Sequence, residues 1–118
     1  MKTSRKDINS YLTRDGSEIR ELMHPDVQGN TQQSLAEAKI RPGGKTRLHK
    51  HLQSEELYYI LSGSGQMTLG TKLFQVARGD TICILPGMSH CLENTEKQEL
   101  VFLCCCSPPY SHTDTELL

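Results

Sequence analysis

Residues 46–63 read TRLHKHLQSEELYYILSG, and the rest of the chain is organised around them. Two histidines, His49 and His51, stand one residue apart; Glu56 follows five residues later, and a run rich in β-formers closes at Gly63. In an extended strand alternate side chains share a face, so His49 and His51 point the same way. Two imidazoles with a carboxylate close behind supply three parts of a metal site. The candidate for the fourth is His90, within GDTICILPGMSHCLEN at residues 79–94.

Working outward, the text on either side is dense in short β-compatible runs. Strands are expected over 46–51, 57–61, 66–69, 73–76, 81–85, 90–94 and 99–106, separated by turn signals such as Gly63-Ser64-Gly65, Gly70, Arg78-Gly79-Asp80 and Pro86-Gly87. Upstream, SLAEAKI at 34–40 tolerates a helix by composition. It lacks a 3.6-residue apolar stripe, and it is expected as a strand. Asp15-Gly16 sits between two short runs within 10–22 and signals a hairpin. His24-Pro25-Asp26 should break that second run, with VQGNTQQ as a polar loop. Short strands with turns every few residues, and no strong helix, indicate an all-β sandwich or barrel. The expected organisation is a loose polar arm at 1–9, one β-barrel domain at 10–106, and a tail at 107–118. SPPYSHTDTELL should leave the sheet, because two prolines cannot pair within it.

Composition narrows the classes. At 118 residues, 36% apolar and 5% aromatic with no Trp, the chain builds one domain with a lean core. Thirteen basic side chains balance 14 acidic ones, which leaves no nucleic-acid footprint and no basic membrane patch. No apolar run approaches the ~20 residues of a membrane span. MKTSRKDINSYL lacks the apolar region of a signal peptide, so a cytoplasmic protein is expected. Cys83, Cys91, Cys104, Cys105 and Cys106 are odd in number and show no CxxC spacing. They read as reduced, mostly buried small hydrophobes.

Two stretches together resemble the cupin superfamily. One family motif runs glycine, five residues, His-x-His, three or four residues, glutamate, six residues, glycine. Gly43, His49, His51, Glu56 and Gly63 fill every fixed position. The second runs glycine, five residues, Pro-x-Gly, two residues, histidine, three residues, asparagine. Gly79, Gly87, His90 and Asn94 match it, while Leu85 stands in place of the first proline and Pro86 in the variable position. The 15 residues between the motifs suit small single-domain members. The resemblance implies a double-stranded β-helix, or jelly-roll barrel, a metal held by His49, His51, Glu56 and His90, and a homodimer. EELYYILSGSGQM is also similar to the corresponding run of short mannose-6-phosphate isomerase-like cupins.

The donor set suits a divalent first-row metal (Mn, Fe, Co, Ni, Cu or Zn) with positions left open for water or substrate. Glu55 competes with Glu56, but as its neighbour in a strand it should face the other way. Alternation also puts Arg47 on the face of His49 and His51, where a guanidinium could hold a carboxylate or phosphate, and Tyr58 on the face of Glu56. Both are candidate substrate-binding residues. Met88 is expected to form an apolar wall before His90, His24 and His112 to be solvated, and Asn94 to stabilise a turn. Leu57, Tyr59 and Leu61 make the opposite face of their strand apolar too, which points to cover by another sheet or subunit. Two functions fit. One is a metal-dependent enzyme (isomerase, lyase or decarboxylase, or dioxygenase) acting on a small carboxylated, phosphorylated or enolisable molecule. The other is a non-catalytic module that binds or senses a small ligand. No helical DNA-binding segment accompanies the β text, and intact ligands in so short a chain do not suit a storage role.

Overall fold

The computed structural model describes residues 1–13 and 16–118. Strand β1 (Tyr11–Leu12) and β2 (Glu18–Met23) pair antiparallel, Tyr11 opposite Ile19, as the hairpin reading requires. Asp15 of the expected turn lies outside the described residues. A one-turn helix, α1 (Pro25–Gln28), follows at the strand break. Next come β3 (Ser34–Ile40), β4 (His49–His51), β5 (Glu55–Ser62), β6 (Ser64–Leu69), β7 (Lys72–Ala77), β8 (Thr81–Ile84), β9 (His90–Glu93), β10 (Leu100–Ser107) and β11 (Thr115–Leu117). Among the described residues the strands form two antiparallel sheets, ordered β1-β2-β3-β10-β5-β8 and β11-β4-β9-β6-β7. Facing one another, they make the expected all-β jelly-roll barrel.

Strand β5 shows how the pattern becomes packing. Glu56, Tyr58 and Ile60 are buried between the sheets, and Leu57, Tyr59 and Leu61 face outward at 42%, 44% and 37% exposure. Ile60, Met67, Leu92 and Leu100 are fully buried, and Phe102 nearly so. Each contributes roughly 1.5–3 kcal/mol by leaving water. Strand β10 is bonded on both sides, to β3 and β5, and centres the larger sheet. Gly63 carries the chain from one sheet to the other with φ +84; a Cβ there would lie 2.6 Å from the Glu99 carbonyl oxygen, so only glycine fits.

Three expectations are corrected. The segment 1–9 is pinned rather than loose. It contains a 3-10 turn at Arg5–Asp7, the Arg5 guanidinium donates to both Glu37 carboxylate oxygens at 2.7 and 2.8 Å, and Thr3 Oγ1 donates to the Leu22 carbonyl at 2.6 Å. The tail leaves the sheet after Ser107 but returns: past Pro108 and Pro109, Thr115–Leu117 pairs with β4. None of the five cysteines is in a disulfide, but only Cys106 is buried; Cys83 is exposed and the other three are half-buried.

Candidate metal centre

The smaller sheet supplies the histidines. His49 and His51 point inward from β4, and His49 lies directly opposite His90 on β9. All three are buried, and one ring nitrogen of each falls within 4.8 Å of the others. Glu56 comes from β5 in the facing sheet; its Oε1 is 3.2 Å from His51 Nε2 and 3.4 Å from His90 Nε2. The neighbouring Glu55 is exposed. The loop before His90 is a four-residue turn: Met88 N–H donates to the Leu85 carbonyl, Pro86 takes the second position, and Gly87 the third with φ +80. Gly87 N–H donates to the His51 carbonyl at 2.7 Å, so the same turn ties the second motif to the first.

Hydrogen bonds behind the rings decide which nitrogen faces inward. His49 Nδ1 sits 2.7 Å from the Arg47 carbonyl oxygen and His90 Nδ1 3.0 Å from that of Met88. A carbonyl cannot donate, so each Nδ1 carries the hydrogen and each Nε2 presents a lone pair. His51 reaches the same tautomer by a relay. Thr115 Oγ1 donates to the Ser111 carbonyl at 2.9 Å, which leaves its lone pair to accept from His51 Nδ1 at 3.0 Å. Lone pairs of His51 and His90 then meet one carboxylate oxygen. Buried His90 Nε2 has no hydrogen-bond partner among the described residues. A buried ring nitrogen left so beside a carboxylate calls for a cation or for a proton on the ring. With protons on those rings, the burial that would raise the Glu56 carboxyl is outweighed by hydrogen bonding and positive charge from His51 and His90, which hold it at about 2. Cys106 Sγ donates to Glu56 Oε2 at 3.2 Å. Burial first, then the Glu56 charge and hydrogen bond, push that thiol well above its ordinary range.

The centre opens on a cavity of about 50 Å³, room for a few water-sized groups. Small side chains create it. Ser34, Ala36 and Ala38 on β3 lie opposite Cys106, Cys104 and Phe102 on β10, and together they line one wall. Tyr58 lines the cavity beside them, its ring 4.7 Å from Phe102 and 6.0 Å from His90. Tyr110, from the tail, stands edge-on to His51 at 5.8 Å. Arg47 does not line the cavity. Regular strand begins at His49, so alternation does not extend back to 47; buried Thr46 takes the inward position and the Arg47 side chain is exposed. Met88 likewise forms no wall; it sits on the exposed turn and acts through its carbonyl. His24 is not solvated. Its Nε2 donates to the Tyr110 carbonyl at 2.8 Å, and its Nδ1 caps α1 by accepting from Asp26 N–H. His112 joins the Tyr110 hydroxyl through Nδ1 at 3.1 Å. Asn94 is fully buried and ties three backbone groups, at Ile40, Glu96 and Gln98, as a turn residue should.

Sequence reading missed Thr115, Tyr110, Cys104 and Cys106. For the cysteines a signal existed: small residues at every second position of two strands, S-x-A-x-A at 34–38 and C-x-C at 104–106. Pairing of those two strands turns that pattern into a hollow. No local pattern marks Thr115.

Comparison with known proteins places this site among relatives. The cupin domain family matches residues 36–106, from the middle of β3 to Cys106. An uncharacterised protein of Methanocaldococcus jannaschii is 53% identical over 118 residues, all of this chain and 94% of that one. An oxalate-binding protein of Thermotoga maritima is 35% identical over 86 residues, 73% of this chain and 71% of that one. Among solved structures, one from Thermotoga maritima described as a predicted oxalate decarboxylase superposes with a TM-score of 0.81 at 28% identity, covering 92% of this chain and 99% of that one.

Proposed function

The chain belongs to the cupin family, and from that premise we propose that His49, His51, Glu56 and His90 hold a divalent first-row metal which in turn binds a small carboxylate. The observation that carries this reading is the convergence of His51 Nε2 and His90 Nε2 on one Glu56 oxygen, with His90 Nε2 buried and without a hydrogen-bond partner among the described residues. When bound, such a metal acts as a Lewis acid and polarises a ligand oxygen. The chain's own residues do the rest. Cys106 donates to the Glu56 carboxylate, Thr115 orients His51, and Tyr58 borders the ligand space.

Carboxylate chemistry is supported by a relative that binds oxalate and by a cavity small enough to select for short ligands. The reaction read here is carbon–carbon or proton chemistry beside that carboxylate, of lyase or decarboxylase type. Isomerisation and dioxygenation stand behind it. A second reading, ligand binding without turnover, has the same relative in its favour, since that protein is named for binding alone. A homodimer is part of the proposal: β5 turns Leu57, Tyr59 and Leu61 outward beside Leu103 of β10, an apolar face that a second copy would cover.

Metal analysis of protein purified without chelator, followed by reconstitution with Mn(II), tests the centre. About one equivalent per chain is expected. Glu56→Gln should weaken retention at least tenfold while Glu55→Gln leaves it unchanged. Less than about a tenth of an equivalent after reconstitution would sink the reading. Incubating the loaded protein with oxalate under nitrogen and under oxygen separates the chemistries. Carbon dioxide release without oxygen uptake marks a lyase, oxygen uptake a dioxygenase, and binding without product the sensing module.

A further inference from the structure

One carboxyl in the cavity has no place in that account. Glu21 points inward from β2, on the same face as buried Ile19. It begins a transverse row: Glu21 pairs with Ala36, Ala36 with Cys104, and Cys104 with Tyr58. Strands are about 4.8 Å apart, so Glu21 and Tyr58 stand roughly 14 Å apart along the backbone. The short side chains between them leave the space open, and Glu21 lines the same cavity as His49, His51 and Glu56. Glu21 Oε2 accepts from the Tyr11 hydroxyl at 3.2 Å; Oε1 is buried and has no hydrogen-bond partner among the described residues. A buried carboxyl oxygen left unpaired is rare enough to require a reason.

We propose that Glu21 is a ligand-recognition residue of this cavity, whose Oε1 carries a proton and donates it in a hydrogen bond to one end of a carboxylate ligand held at its other end by the metal centre. The proposal rests on the carboxylate-binding reading above. A carboxyl facing an anionic ligand must be neutral to bind it, and burial raises Glu21 above the ordinary carboxylate range. The titratable groups around it are Tyr11 from β1, His24 and Asp26 at the end of β2, His112 from the tail and Cys106 from β10. His24, Tyr11 and His112 pull its affinity for a proton down, Asp26 pushes it up, and burial is the largest influence. The ligand class that follows is a short dicarboxylate spanning from the histidines to the β2 wall.

The probes are oxalate, malonate and succinate, titrated calorimetrically into Mn(II)-loaded wild type, Glu21→Gln and Glu21→Leu. Wild type should bind at least one of them. Gln keeps a donor at this position and should bind within about twofold of wild type, whereas Leu should weaken binding about tenfold. Metal content and thermal midpoint serve as controls for folding. Wild-type affinity should fall as the pH rises and Glu21 loses its proton, and the Gln variant should be flatter across the same titration. Leu binding like wild type, or Gln losing as much as Leu, overturns the role of Glu21 while leaving the metal-held carboxylate intact. Metal-loaded wild type that takes up none of the three overturns both.

Discussion

Thr115 illustrates how a single hydroxyl can settle the state of a histidine 64 residues away. Its hydrogen goes to the Ser111 carbonyl, so only its lone pair is left for His51 Nδ1. That direction fixes His51 with Nε2 toward Glu56, and outer partners of this kind are typically worth 10–100-fold in metal affinity. Thr115→Val keeps the shape and removes both hydrogen bonds; a loss in that range is expected, read by competition with a chelator of known affinity. Thr115→Ser restores the relay and should recover most of it. Val and Ser behaving alike would mean that β11 acts through packing alone. The Glu55–Glu56 pair makes the same point about strands. Adjacent carboxylates of identical chemistry are separated by the pleat, one into the cavity and one into solvent.

At the scale of elements, the two ends of the chain belong to the barrel. Strand β11 covers the edge of β4, which would otherwise present unpaired backbone beside the candidate metal centre. Asp114 reinforces it by accepting from Gln53 N–H and Ser54 N–H at 2.9 and 3.0 Å. At the other end, Arg5 latches the N-terminal segment onto β3 through Glu37. Hydrogen bonding to Arg5 comes first among the causes that hold the Glu37 carboxyl below its ordinary range, ahead of the opposing burial. A carboxyl lowered by folding stabilises the native state above its unfolded pKa, and that contribution disappears as pH falls through the lowered folded value. Wild type should therefore melt above Glu37→Gln at neutral pH, and the gap should close once the pH drops below the carboxylate range. A gap that persists in acid would show that the latch acts by shape, not charge. Salt should narrow the neutral-pH gap as well, because Arg5 is half-exposed.

The whole molecule couples the centre to its stability. His49, His51 and His90 belong to one sheet and Glu56 to the other, so a metal held by all four would join the two halves of the barrel. A ligand that binds only the folded chain stabilises it by about 2.7 kcal/mol at a hundred times its Kd. Mn(II) should raise the thermal midpoint by several degrees, and EDTA should reverse the shift. Because the imidazoles must be neutral to bind metal, the shift should shrink in acid. A midpoint indifferent to both metal and chelator would count against a site that bridges the sheets. No helix among the described residues is long and apolar enough to cross a membrane.

By itself, the sequence determined the features that depend on local periodicity. Alternation placed His49 with His51 and separated Glu56 from Glu55, turn residues marked the strand ends, and spacing matched the two motifs. These survive because a pleat of period two and a glycine at positive φ are properties of a few adjacent residues. Only the tertiary structure decided the rest. Arg47 left the cavity because regular strand starts three residues later than its run of β-formers suggests. The tail came back, despite two prolines, because β4 had an open edge to fill. Alternating small residues on β3 and β10 became a cavity wall only when pairing put them opposite one another. Glu21 and Thr115, 28 and 64 residues from His49 and His51 respectively, reached the site through strand order alone. Contacts of that separation are set by how sheets pair and pack, and no local pattern carries them.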